Sequence, residues 1–186
     1  SDELLRLLPI LGEHVGSRHV VIQSYAAACL ERVLAVPDKF VKPQVAPLLG
    51  PLLHGLFAVF DSALENAEGS TYITPWENEY IMKAVMRLLV VSQEYILPMA
   101  RVVIGKLCMS LRCVCRNPRN PKFNHYLFES LAILVSVACK SDRCCIPTDY
   151  FEVVLFPPFQ EILQMDVIEF APYVFQILAL LLGYRK

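Results

Sequence analysis

Glycine is scarce in this sequence: its seven glycines stand at scattered positions among 186 residues. A phosphate-cradling loop needs several glycines at fixed spacing before a helix, so no such loop is present. The four histidines, His14, His19, His54 and His125, are equally dispersed. None has the spacing of a zinc-binding helix or stands near a nucleophile motif. We expect these histidines in caps, loops or packing rather than in catalysis.

The seven cysteines do not form a metal-binding pattern. Cys108, Cys113 and Cys115 are close in sequence, but on one helix Cys113 points away from the other two, and no second Cys or His pair follows at zinc-finger spacing. Cys144 and Cys145 stand together in a loop, where a reactive or redox role is the less favoured alternative. Thiols in apolar stretches are typical of a reducing compartment. We expect no metal, no cofactor and no enzymatic activity.

Long uncharged runs without helix breakers are also missing, although 55% of the residues are hydrophobic and the mean hydropathy is +0.46. The uncharged stretch 44–60 has 17 residues but contains two prolines and two glycines, so it is a poor membrane helix. No signal peptide pattern opens the chain. The hydrophobic content therefore predicts a large buried core. The strongly apolar final segment, 180–186, favours a fragment of a longer chain.

Charge is segregated into blocks that the net charge of −1 hides. Residues 61–94 hold six acidic and two basic side chains, and residues 144–184 hold five acidic and no basic ones. Between them, residues 101–122 hold six basic side chains and no acidic one.

Hydrophobic periodicity predicts eight helices and no strand. Apolar residues recur at i, i+3 and i+4 along each segment, and prolines or polar loops separate the segments. Asn120 is expected to cap one helix with Pro121 as its first residue, and Pro98 is expected in the first turn of another. Pro157 and Pro158 are expected to kink the seventh helix. The predicted helices are 3–14, 18–36, 43–67, 77–93, 95–116, 121–140, 149–165 and 169–185.

The helices recur in pairs. Helices starting near residues 18, 77, 121 and 169 are separated by 59, 44 and 48 residues, and a two-helix period of about 45 residues is typical of HEAT or armadillo arrays. We therefore predict an all-α fold, a right-handed α–α superhelix of HEAT repeats (an armadillo-type solenoid) with about four helical pairs. The repeat units fall near 1–17, 18–67, 77–117, 121–166 and 169–186. Such an array presents an extended surface rather than an enclosed pocket.

The candidate binding site is a basic stripe on helix 95–116, formed by Arg101, Arg112, Arg116 and Arg119. At about 100° per residue they fall near 0°, 20°, 60° and 0°, on a different sector from the apolar residues. The ordinary explanation is a solvated helix face. Two features raise the alternative of a protein-binding surface to about equal standing with that explanation. No acidic residue interrupts the stripe, and acidic blocks lie on both sides of it in the sequence. Nucleic acid is less favoured because the overall charge is balanced and no aromatics interleave with the arginines.

Four stretches together resemble a known family: residues 25–33 (YAAACLERV), 78–87 (NEYIMKAVMR), 117–129 (NPRNPKFNHYLFE) and 161–176 (EILQMDVIEFAPYVFQ). They closely resemble the middle of the cellular apoptosis susceptibility family of exportins, within the importin-β superfamily. The resemblance runs in register over nearly the whole chain and departs most in 37–76 and 144–148.

This resemblance implies that residues 1–186 are a central segment of a longer arch of HEAT repeats. Helices 95–116 and 149–165 would line its concave face, and helices 18–36, 77–93, 121–140 and 169–185 would lie outside. The implied function is nuclear export of importin-α bound together with Ran-GTP, by a receptor that shuttles between nucleus and cytoplasm. Nuclear pore proteins are further implied partners, whereas nucleic acid and membrane are not. Because the chain lacks both ends of the arch, we expect residual or no activity from it alone.

The alternative is a generic HEAT-repeat scaffold subunit of a multiprotein complex, with no Ran-linked cycle.

Overall fold

The computed structural model describes residues 2–37, 42–67, 77–141 and 146–184. Within these ranges the chain has eight α-helices and no β-strand, so the all-α prediction is confirmed. A 3-10 helix, Gln93–Met99, precedes the fifth α-helix. The α-helices are α1 (Asp2–Val15), α2 (Val20–Leu34), α3 (Lys42–Ala67), α4 (Glu79–Ser92), α5 (Ala100–Cys115), α6 (Pro121–Lys140), α7 (Thr148–Gln164) and α8 (Ala171–Tyr184).

The chain forms two compact units, Ser1–Tyr95 and Ile96–Lys186. In the first unit α1 packs on α2 and α3, and α4 packs on the same two helices. In the second unit α5 packs on α6 and α7, and α8 packs on the same two helices. Each unit is therefore two layers of two helices, as two stacked hairpins require. Where one repeat ends and the next begins stays a prediction.

In the second unit, contacts between α6 and α8 join residues at a constant separation along the chain. His125 Nδ1 lies 3.2 Å from the Tyr173 hydroxyl, and Ser136 Oγ lies 3.5 Å from the Tyr184 hydroxyl. Both pairs are 48 residues apart. Because the beginning of α6 meets the beginning of α8, and likewise their ends, the two helices are parallel, which is the geometry of tandem repeats.

In the first unit, polar contacts join α2 and α4 in the same parallel way. Asn78 Nδ2 donates to Ser24 Oγ at 2.8 Å, across 54 residues. The Glu31 carboxylate accepts hydrogen bonds from Arg87 Nη2 at 2.9 Å and Nε at 3.0 Å, across 56 residues. Its other oxygen lies 3.4 Å from Lys83 Nζ. Sequence reasoning did not predict this cluster, because its members are one repeat apart.

The core of each unit consists of large side chains between its two layers. In the first unit the fully buried ones include Leu8, Leu30, Leu49, Leu56, Phe60, Ile81 and Met82. In the second unit they include Phe123, Phe128, Phe151, Phe159 and Phe170.

Helices α1 and α3 approach closely at two glycines. A Cβ atom added at Gly55 would lie 3.3 Å from the backbone oxygen of Gly12, and one added at Gly12 would lie 2.9 Å from Leu52 Cδ2. Packing of the two helices therefore accounts for both glycines, since any larger residue would force a shift.

The start of the fifth helix differs from the prediction. The sequence predicts an α-helix from residue 95 with Pro98 in its first turn, but Pro98 lies in the 3-10 helix and α5 begins at Ala100. Proline has no N–H and its ring clashes with the carbonyl four residues earlier, so it disfavours regular α-helix there. At the preceding junction, Gln93 closes α4 with φ 46° and donates its N–H to the Leu89 carbonyl.

Two other predictions from prolines can be compared with the structure. Asn120 caps α6, because its side-chain oxygen accepts from the Phe123 N–H at 3.1 Å, and Pro121 is the first helical residue, as predicted. Helix α7 continues through Pro157 and Pro158 to Gln164, and the kink expected at the two prolines stays a prediction.

Among the residues that the structure describes, two stretches are long and apolar enough to cross a membrane by length and composition, namely Pro43–Asp61 and Glu79–Cys115. The 3-10 helix interrupts the second stretch. A helix in the core of a folded domain has the same length and composition, so these two properties do not distinguish it from a membrane span.

Candidate protein-binding surface

Helix α5 has one buried and one exposed face. Its buried face includes Val103, Ile104, Leu107 and Leu111, which pack in the core of the second unit. The arginines of the predicted basic stripe (Arg101, Arg112, Arg116 and Arg119) are all exposed, the first three on or next to α5 and the last in the turn before α6.

Arg101 lies against an aromatic ring of α7. Its guanidinium carbon is 4.5 Å from the centre of the Tyr150 ring, a distance at which a cation and an aromatic face attract each other. The contact holds the first arginine of the stripe beside the start of α7.

Arg116 forms a surface ion pair with the same helix. Its Nε atom lies 3.8 Å from Glu161 Oε1, and the two side chains are 73% and 35% exposed. Exposed pairs at this separation contribute about 0–1 kcal/mol to stability. One carboxylate of the acidic block in residues 144–184 is thus opposite the basic stripe within the second unit.

The other two arginines differ in their partners. With the Asn117 amide oriented so that its oxygen faces Arg119, that oxygen accepts from Nη2 at 2.7 Å and from Nε at 3.0 Å. Within the part of the chain that the structure describes, the Arg112 guanidinium has no carboxylate partner. The charge of Arg112 is therefore available to a binding partner.

The thiols of α5 are held in the protonated form. Burial raises the pKa of Cys108 to about 12, although Arg112 acts in the opposite direction. Burial also raises the pKa of Cys113, and burial together with Glu161 raises the pKa of Cys115. A protonated thiol is neither a nucleophile nor a metal ligand. Among the described residues, no group of three His, Cys, Asp or Glu side chains could hold a metal ion.

The predicted reactive pair, Cys144 and Cys145, lies outside the described residues.

Sequence reasoning missed the two α7 residues that contact the stripe. Tyr150 follows Arg101 by 49 residues and Glu161 follows Arg116 by 45 (150 − 101 and 161 − 116). Both separations match the repeat period of about 45 residues. Adding that period to Arg116 reaches Glu161, whereas adding it to Arg101 falls about one helical turn short of Tyr150.

Parallel stacking of equivalent helices, one repeat apart, defines a helical-repeat protein of the HEAT type. A family model described as "CAS/CSE protein, C-terminus" matches residues 31–186. The chain belongs to the CAS/CSE family.

Relatives in several animals are similar over the whole chain. Exportin-2 of Drosophila melanogaster is 40% identical over 188 residues, covering 98% of this chain, and Exportin-2 of Homo sapiens is 38% identical over 191 residues, covering all of it. A solved structure described as the exportin Cse1 in its cargo-free, cytoplasmic state matches 98% of the chain with a TM-score of 0.74 and 25% identity. The chain spans 18% of the length of each of these proteins.

Proposed function

We propose that this chain is a segment of a nuclear export receptor that binds importin-α as cargo together with Ran-GTP and returns importin-α to the cytoplasm. The observation that carries the proposal is the identity of about 40% to proteins named Exportin-2 over nearly the whole chain. The receptor would shuttle between nucleus and cytoplasm, with nuclear pore proteins as further partners. Its role would be regulated binding rather than catalysis.

The exposed stripe supports a role in protein binding. An exposed row of arginines attracts acidic partners and steers their approach, and it contributes more to selectivity and association rate than to raw affinity. Arg112, which has no carboxylate partner among the described residues, and Arg116, which is 73% exposed, can both reach a partner.

The proposed mechanism is conformational. Neighbouring hairpins in the second unit are joined by contacts such as the exposed Arg116–Glu161 pair, which small rotations between helices can break and re-form at little cost. Ran-GTP and cargo binding the same wrapped form would each raise the affinity for the other. Hydrolysis of GTP on Ran would remove that coupling and release importin-α.

The alternative is a generic HEAT-repeat scaffold in a multiprotein complex without a Ran-linked cycle. Capture of purified importin-α by the full-length protein separates the two functions when Ran is loaded with GTP in one sample and with GDP in the other. The proposed function predicts capture with GTP-loaded Ran and little with GDP-loaded Ran. Equal capture in both samples would favour the scaffold.

A further inference from the structure

A groove lies between α2 and α4 at the surface of the first unit. Its volume is about 440 Å³, within the range of roughly 300–1,000 Å³ that small-molecule sites have. Five residues of α2 and one residue of α4 line it, namely Ser24, Tyr25, Ala28, Cys29, Arg32 and Tyr80. None of them belongs to the basic stripe, so the groove needs an explanation of its own.

Two tyrosines from different helices border the groove. Tyr25 of α2 is 75% exposed and Tyr80 of α4 is 47% exposed, and the small side chains Ser24 and Ala28 leave open space beside them. The Asn78 amide donates to the Ser24 hydroxyl at 2.8 Å, which holds the start of α4 against α2 at this point. Stacking of the two helices therefore forms the groove without a ligand.

The groove combines a nucleophile with a positive charge. Cys29 and Arg32 are three residues apart on α2, so they are neighbours on one face of the helix. The Cys29 thiol is free and exposed. Arg32 is exposed and has no carboxylate partner among the described residues, since the adjacent Glu31 is buried and bound to Arg87. An anionic ligand that carries a reactive sulfur fits this pair.

We propose that the α2–α4 groove binds glutathione disulfide and that Cys29 exchanges with it to form a mixed disulfide with glutathione. Each glutathione unit is a short peptide with two carboxylates and one ammonium group, so its net negative charge complements Arg32, whose planar guanidinium suits a carboxylate. The two tyrosines offer rings on which the peptide can lie. Glutathione is the thiol buffer of the reducing compartments in which free thiols such as Cys29 persist. The inference is independent of the proposed function.

The reaction is a thiol–disulfide exchange. The Cys29 thiol gives up its proton, and the thiolate attacks one sulfur of glutathione disulfide. A new S–S bond forms to Cys29 while the S–S bond of the reagent breaks, and the departing glutathione thiolate takes up a proton. Glutathione disulfide is the oxidant, since one of its sulfurs leaves as a thiol. Reduced glutathione reverses the step, so the modification follows the ratio of the two forms.

The test measures the rate of this exchange in the full-length protein at neutral pH, by mass spectrometry of the peptide that contains Cys29. The uncharged bis(2-hydroxyethyl) disulfide is the reference reagent. The ratio of the two rate constants reports recognition of glutathione, because a change in the thiol itself alters the rate with both reagents. Arg32→Ala should lower this ratio about threefold, as expected for one exposed ion pair, and Arg32→Lys should retain most of it.

Cys113 of α5 provides a matched control, because Arg116 follows it at the same spacing of three residues. Its thiol is half-buried and Arg116 lies 3.8 Å from Glu161, so the rate ratio at Cys113 should be lower than at Cys29. Tyr80→Ala removes one border of the groove and should lower the ratio at Cys29 while leaving the ratio at Cys113 unchanged.

A glutathione adduct at Cys29 whose rate ratio falls in Arg32→Ala and returns in Arg32→Lys would support the site. No adduct at Cys29, a ratio no higher than that at Cys113, or a ratio that Arg32→Ala leaves unchanged would overturn it and leave Cys29 as an ordinary exposed thiol. Because Arg32 is exposed, Arg32→Ala should melt as the wild type does. If it melts lower, the ratio in Tyr80→Ala decides in the same way.

Discussion

Glu31 brings a negative charge into the interior of the first unit, where it is only 6% exposed. Two hydrogen bonds from Arg87 and the nearby Lys83 ammonium compensate it. Removing one partner of a buried pair leaves the other charge without compensation, and this cost exceeds the net contribution of the intact pair. Removing one member of the cluster therefore costs more free energy than the intact cluster contributes to stability. That cost is what keeps α4 packed on α2 at this point.

We predict that Glu31→Ala lowers the free energy of unfolding by about 2 kcal/mol. This is less than a fully buried pair would lose, because Arg87 and Lys83 are about one third exposed and water can reach them. Urea denaturation of the chain measures the change. The matched control, Glu161→Gln, removes an exposed carboxylate and should cost less than about 0.5 kcal/mol. Equal losses in the two variants would contradict a special role for Glu31.

Cys108 gives a prediction for alkaline pH. Its pKa is about 12 in the folded chain against an ordinary value of 9.0, because burial disfavours the thiolate. The folded state therefore holds this proton more tightly than the unfolded state. The stability that results is fully present below about pH 9 and is lost as the pH rises from there toward 12.

The difference in unfolding free energy between the wild type and Cys108→Ala should therefore shrink above pH 9. In parallel, iodoacetamide at about pH 8 should modify the exposed Cys29 well before Cys108, as measured by mass spectrometry. Equally fast modification of Cys108 in the folded chain would show that its thiol is accessible and that burial does not raise its pKa.

Two asparagines begin helices as caps. Asn120 caps α6 through the Phe123 N–H, and Asn78 caps α4 through the N–H groups of Tyr80 and Ile81 and also donates to Ser24 of α2. The second asparagine thus links the start of a helix to the stacking of two repeats.

We expect Asn78→Ala to cost more unfolding free energy, measured by urea denaturation, than the roughly 1 kcal/mol of a lost cap, because it also leaves the Ser24 contact unmade. Asn78→Asp keeps a capping oxygen but has no donor for Ser24, so it should fall between the wild type and Asn78→Ala. If Asn78→Asp has the same unfolding free energy as the wild type, the link between the two helices contributes nothing measurable.

The helices could be predicted from the sequence because most boundaries have local causes. Asn120 and Pro121 mark the start of α6 by capping and by the lack of a needed N–H, and both effects depend on neighbouring residues alone. The 3-10 helix at 93–99 was missed because its seven residues are too few for an apolar pattern to separate a period of 3.0 from one of 3.6. The positive φ of Gln93, which ends α4, also has no signal in a non-glycine residue.

The stacking of helical hairpins as HEAT-type repeats could be predicted, because the repeat period is visible in the sequence. The contacts that hold equivalent helices together, such as Glu31 with Arg87, were not predictable from local patterns, since each joins residues of different repeats. The same limit applies to the candidate site. Charge patterning identified the arginines, but Tyr150 and Glu161 became visible only once α7 was placed beside α5.

One measurement tests most directly whether the basic stripe is a docking surface of an export receptor. It is the dissociation constant of the full-length protein for importin-α in the presence of GTP-loaded Ran. We predict that reversing Arg101, Arg112, Arg116 and Arg119 to glutamate weakens binding by about tenfold or more, with a loss of salt dependence. The exposed Lys140 of α6 provides a single charge-reversal control, and Lys140→Glu should leave the constant nearly unchanged. An unchanged dissociation constant and salt dependence for the fourfold variant would contradict the account and leave the stripe as a solvated helix face.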